Sequence, residues 1–196
     1  MADVNDDLSR RLLDEAARIL HEVGPSGLST RKLATAAGTS TMAVYTHFGG
    51  KDTLLSALYR EGFRRLGARL DEATGADPLS ALTAAGRAYR AAALESPSLY
   101  TLMFGPPPAG LVLTDDDTSA ADATFQPLVD RVEAAVGAGS MTGDPDRIAM
   151  HLWVVAHGMV GLELSGRTFA DDTDAERSAR YDEALLLAAA PFVTPR

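Results

Sequence analysis

Between Ser29 and Lys51 the chain reads STRKLATAAGTSTMAVYTHFGGK, and this stretch holds the side chains best suited to chemistry with an anionic polymer. Tyr45, Thr46 and His47 offer hydroxyl and imidazole donors along one flank, with the Ser40 hydroxyl ahead of them, and phosphate oxygens accept from such groups. Lys51 opens the next helix, where a cation backed by free backbone amides makes a phosphate clamp. Ser40, Thr41, Met42 and Ala43 are small or flexible, so a helix carrying them can approach base edges in a major groove. Double-stranded DNA is the partner this pattern expects.

Other chemistry is poorly supported. With no Cys, disulfide scaffolds, thiol redox sensors, Cys nucleophiles and Cys-bearing zinc fingers are excluded. His151 and His157 are six residues apart on one helix, on different faces, so they cannot chelate an ion together. His157 lies on an apolar face and reads as a hydrogen-bonded histidine at a pocket or dimer wall. Asp115 to Asp117 with Asp122 lack the glycine and terminal glutamate of a calcium hand and read as a solvated loop. No nucleophile-base pair, paired carboxylates in an apolar setting or phosphate loop is visible, so neither an enzyme nor a metal or cofactor is expected.

The elements that must position these groups are helical. Leu8, Leu12, Ala16, Ile19, Leu20 and Val23 follow helical spacing until Gly24 and Pro25 end it. Ser29 caps a short helix from Thr30 to Ala37 that stops at Gly38, and Ser40 caps a second from Thr41 to about Phe48, which Gly49 and Gly50 break. Two short helices about a glycine turn form a helix-turn-helix, whose second helix presents its first turns to the groove. A long helix follows from Lys51 to about Ala73. Further helices span Pro78 to Glu95, Pro97 to Phe104, Thr118 to Val136, Pro145 to about Ser165 and Asp174 to Ala190, with residues 105 to 117 an irregular loop. The fold class is all-α: an N-terminal three-helix domain over residues 1–50 and a C-terminal helical domain over 51–196, with 51–73 connecting them.

The whole chain has 196 residues, 46% apolar and 23% charged, which suits a globular protein of one or two domains. Its net charge of −9 conceals an asymmetry: residues 1–66 carry nine basic against eight acidic side chains, while the remainder carries nine against nineteen. Only the first third can approach phosphate. The acidic start shows no signal peptide, and the longest apolar run, Ile148 to Leu162, is too short for a membrane span, so a cytoplasmic protein without membrane contact is expected.

From Leu12 to Leu58 the residues resemble the TetR regulators. The resemblance rests on the first helix, the Leu33-Ala34-x3-Gly38 turn and Val44-Tyr45-Thr46-His47-Phe48-x2-Lys51. It implies that Arg31 reaches a base, that Thr41, Met42 and Ala43 enter the groove, and that Tyr45, Thr46, His47 and Lys51 bind phosphate. Thr46 stands where an aromatic is more usual, and the acidic residues before Leu8 do not suit a minor-groove arm.

In the second half, Trp153-Val-Val-Ala-His157-Gly158 and Pro97-Ser-Leu-Tyr100-Thr-Leu-Met103-Phe104 resemble a TetR subgroup named for its Trp-His-Gly element. That resemblance implies a ligand chamber among the middle helices and a homodimer through the last two. Tyr89, Tyr100, Met103, Phe104, Phe125, Met150, Trp153 and His157 are the candidate pocket residues, and Gly161, Leu185, Leu186 and Ala189 the candidate dimer residues. Only Arg87, Arg90 and Arg131 are basic between Leu79 and Val136, so a small, largely apolar effector is expected rather than a multiply anionic one.

Overall fold

A computed structural model describes residues 2–167 and 171–195. Its α-helices are α1 (Ala2–Gly27), α2 (Thr30–Ala36), α3 (Thr41–Phe48), α4 (Lys51–Glu72), α5 (Pro78–Glu95), α6 (Pro97–Phe104), α7 (Asp115–Gly137), α8 (Pro145–Leu164) and α9 (Asp174–Ala189), and a 3-10 turn covers Ala190–Phe192. Among the described residues there is no strand beyond an isolated bridge between Met141 and Val193. No helix of the described residues is long and apolar enough to cross a membrane.

Local chemistry sets most of the boundaries. Ser29 accepts a hydrogen bond from the Lys32 amide, Ser40 from Ala43 and Asp144 from Arg147, so three helices begin with a side chain satisfying an otherwise orphaned donor. α1 is interrupted at Gly24, where φ is +69° and Pro25 follows, so its regular part ends where the glycine and proline require. Gly38, at φ +62°, reverses the chain after α2 while the Thr39 amide returns to Ala34 O at 2.9 Å.

The chain divides into two compact units, residues 1–65 with 96–122 and residues 66–95 with 123–196. In unit one, α1 packs on α2 and α6, and α2 on α3. Its buried apolar residues include Leu12, Ala16, Leu20, Leu33, Ala34, Val44, Leu54, Leu55 and Leu58, which leaves the opposite faces of α2 and α3 in water. In unit two, α8 packs on α9 and α5 on both. Val129, Val132, Ala135, Met141, Ile148, Ala149, Leu152 and Ala188 form its core, flanked by Phe125, Val155 and Ala189.

One expectation fails here. The aspartates at 115–117 do not close a solvated loop; they form the first turn of α7. Asp115 and Asp116 are exposed, but Asp117 is fully buried. The Thr114 amide and hydroxyl donate to its Oδ2 at 2.9 and 2.8 Å, and Arg60 Nη1 donates to Oδ1 at 2.7 Å. Burial alone would raise the pKa of Asp117, but these donors outweigh it and hold the carboxyl below the usual aspartate range.

Candidate nucleic-acid interface

α3 turns Val44 into unit one and leaves Thr41, Met42, Tyr45 and Thr46 exposed, while Ala43 and His47 are half-buried. Met42 is 73% exposed and Tyr45 51%, large values for side chains that a folded chain ordinarily covers. Ser40, also exposed, uses a lone pair on the Ala43 amide and keeps its hydroxyl proton for an outside acceptor. The Thr46 hydroxyl donates to Met42 O at 2.9 Å along its own helix.

Flanking α3 are three cations. Arg31 and Lys32 are exposed on α2, and Lys51 begins α4, where its Nζ lies 3.4 Å from Ser26 O. Between Glu22 and Asp52 the sequence contains no carboxylate at all, in a chain whose net charge is −9. Sums over long segments hide this window, because acids of α1 cancel the count. It leaves residues 23–51 with the three cations Arg31, Lys32 and Lys51 and no formal negative charge, although the molecule is acidic. α3 itself ends in Gly49 at φ +72°, whose amide returns to Tyr45 O at 2.7 Å, so the helix terminates just before Lys51.

The side chains expected to hold a small molecule fall in both units. In unit one, Tyr100 and Phe104 lie 4.9 Å apart with their rings tilted at 54°, Phe104 meets Phe63 edge-on at 5.4 Å, and Phe63 lies 5.0 Å from Tyr59. Met103 fills the space left by Gly62, where an added Cβ would sit 2.5 Å from its sulfur. In unit two, Tyr89 and His157 Nδ1 share a hydrogen bond of 2.9 Å, the Trp153 ring lies 5.3 Å from His157, and Phe125 meets Trp153 edge-on at 6.0 Å. Burial lowers the pKa of His157, so its ring is neutral at neutral pH. Met150 stands apart from this group, 47% exposed on another face of α8.

None of the three basic side chains between Leu79 and Val136 is uncommitted. Arg87 pairs with Asp182, Arg90 with the largely buried Glu163, and Arg131 donates to the carbonyls of Leu70 and Ala73 at the end of α4. Of the residues expected at a dimer contact, Gly161 and Leu186 are exposed, whereas Leu185 packs on Gly86 and Ala189 flanks the unit-two core. Met150, Val154, Gly158, Gly161 and Leu162 form an exposed apolar stripe along α8, and Leu186 and Leu187 are exposed on α9.

Comparison with known proteins gives two family matches. Residues 12–58 match the bacterial regulatory proteins of the tetR family, and residues 82–185 match the tetracyclin repressor-like C-terminal domain. The chain belongs to the tetR family. This is a family of transcriptional regulators with an N-terminal DNA-binding domain, not a family of enzymes. Its members bind DNA and act as dimers with small-molecule effectors.

The HTH-type transcriptional regulator Rv1816 of Mycobacterium tuberculosis is 30% identical over 146 residues, 72% of this chain and 61% of that protein. The alignment therefore spans less than two thirds of that relative. A solved regulatory protein, SCO4313, superposes with a TM-score of 0.80 at 26% identity, covering 97% of this chain and 99% of the other. A Rhodococcus protein of unknown function reaches 0.77 at 32% identity, covering 93% and 95%. The C-terminal match is to the tetracyclin repressor-like domain, without reference to the Trp-His-Gly element.

Proposed function

We propose that this tetR-family chain is a ligand-responsive DNA-binding regulator in the cytoplasm, a repressor released from a palindromic operator by a small apolar molecule. The observation that carries the reading is the carboxylate-free window from Val23 to Lys51, within which α3 exposes Thr41, Met42, Tyr45 and Thr46. A helix that spends its exposed face on short, apolar and hydroxyl side chains between cations is built for a groove. Residues 1–50 then form the DNA-binding domain. Arg31, Thr41, Met42 and Ala43 read bases, while Ser40, Tyr45, Thr46, His47 and Lys51 hold phosphates, Thr46 by rotating its hydroxyl away from Met42 O.

Residues 51–196 carry effector binding and dimerisation, with the α4 segment 51–73 as the connection. We assign the effector to Tyr89, Phe125, Trp153 and His157 of unit two, and regard Tyr100, Met103 and Phe104 of α6 as a separate cluster within unit one. The commitment of Arg87, Arg90 and Arg131 to partners within the chain supports a neutral or cationic, largely apolar compound. The exposed stripes of α8 and α9 support a homodimer through Gly161 and Leu186, with Val154 and Leu162 added to the expected contacts. Effector binding shifts α4 and changes the separation of the two recognition helices, so the liganded dimer no longer fits its half-sites.

The test is retardation of duplex DNA carrying a palindrome from upstream of the coding region, followed by release with compounds that raise the melting temperature of the protein. Neutral apolar compounds are expected to release it. Release confined to nucleotides or other multiply phosphorylated molecules would overturn the effector assignment. Failure to retard any such duplex would overturn the DNA-binding reading. Retardation only in the presence of the compound would make the chain a ligand-dependent binder or activator.

A further inference from the structure

We infer that the recognition helix selects its half-site by contact with thymine methyl groups, and that Met42 is the residue that reads them. The inference rests on α3 entering the major groove, as proposed above, and goes beyond it to the kind of base read. From Thr41 to Phe48 the helix contains no Arg, Lys, Asn, Gln, Asp or Glu. It therefore lacks every side chain that reads guanine or adenine through paired hydrogen bonds, or cytosine through a carboxylate. What remains for sequence discrimination on α3 is single hydrogen bonds from hydroxyl or imidazole groups, which distinguish bases weakly, and apolar contact, and among the four bases only thymine offers a methyl group to the major groove.

Met42 is placed for that contact. It occupies the first turn of α3, the end that a helix-turn-helix directs at base edges. Its side chain is 73% exposed, so its apolar surface is available for a base to cover. Length and flexibility let it follow a methyl group at slightly different depths. Thr41 beside it adds a second methyl and a hydroxyl, while Val44, one helical step away, is buried and cannot take part. The inference predicts half-sites with thymine at one or two positions under α3, whatever pair Arg31 reads outside them.

The experiment begins with selection of bound duplexes from a random library by the full-length chain. Each thymine of the enriched half-site is then replaced singly by deoxyuridine, which removes only the methyl. Affinity is expected to fall about fourfold at one or two positions, the loss that roughly 0.8 kcal/mol per buried methyl-sized group implies. In Met42→Ala the same replacement is expected to have no effect, with the variant already weakened to a similar extent on the unmodified site. Met42 is exposed, so this variant keeps the fold. Enriched sites without thymine under α3, or thymines insensitive to deoxyuridine, would overturn the inference while leaving DNA binding intact. A deoxyuridine effect undiminished in Met42→Ala would overturn the role of Met42. If no sequence were enriched, the DNA-binding reading would fall and the inference with it.

Discussion

Lys51 is the side chain whose role reduces to one number. Each phosphate neutralised by a cation releases about one counterion, so Lys51→Ala should lower the magnitude of the log-log salt slope by about 1 for each protomer bound. The loss should be the same on cognate and random DNA, because a phosphate carries no sequence. An unchanged slope, measured by anisotropy titration at several salt concentrations, would remove Lys51 from the interface. Asp117 allows a stability test of the same sharpness. Asp117→Ala strands the Thr114 and Arg60 donors and should cost about 2 kcal/mol in chemical denaturation at neutral pH. Because folding lowers the pKa of this carboxyl, its contribution is complete above the ordinary aspartate value of about 3.9 and is lost as pH falls through the folded value. The difference between wild type and variant should therefore shrink in acid; a pH-independent difference would contradict the ionised pair.

Helices α2 and α3 depend on caps and glycines that act within a few residues, and their boundaries were accordingly legible in the sequence. Ser40→Ala should destabilise the protein by about 1 kcal/mol, as loss of the Ala43 amide's acceptor requires, and should weaken operator binding further by removing a hydroxyl from the groove edge. Equal stability in thermal denaturation would show that the cap is idle. The start of α7 did carry a local signal, the Thr114-x-x-Asp117 pair, in which the Thr114 amide donates to Asp117 Oδ2 and the Asp117 amide to Thr114 Oγ1; only the Arg60 partner, 57 residues earlier, lay beyond short-range pattern. Nor did helical spacing separate Leu185 from Leu186. Both are leucines of α9, yet the absence of a side chain at Gly86 draws the first inward while the second remains 62% exposed. The candidate interface was readable as a set of residue types, whereas the exposure of Met42 and the engagement of the Thr46 hydroxyl required coordinates.

At the scale of the molecule, charge and apolar surface are sorted. In an acidic chain the longest carboxylate-free window, residues 23–51, is the one proposed to meet a polyanion, and the exposed apolar stripes of α8 and α9 are those proposed to meet a second copy of the chain. Gly161→Arg combined with Leu186→Arg places two charges on those stripes at exposed positions, so sedimentation should show a folded monomer; an unaltered dimer would move the interface elsewhere. A monomer should also lose operator affinity, since two half-sites are no longer bound together. The most direct measurement of the central claim is the affinity of the full-length protein for its selected palindromic duplex and for a scrambled duplex, each titrated over a series of salt concentrations. The account predicts binding to the palindrome at least about 1,000-fold tighter than to the scramble, with both affinities falling linearly in log-log form as salt rises. Equal affinity for the two duplexes, or binding indifferent to salt, would contradict it.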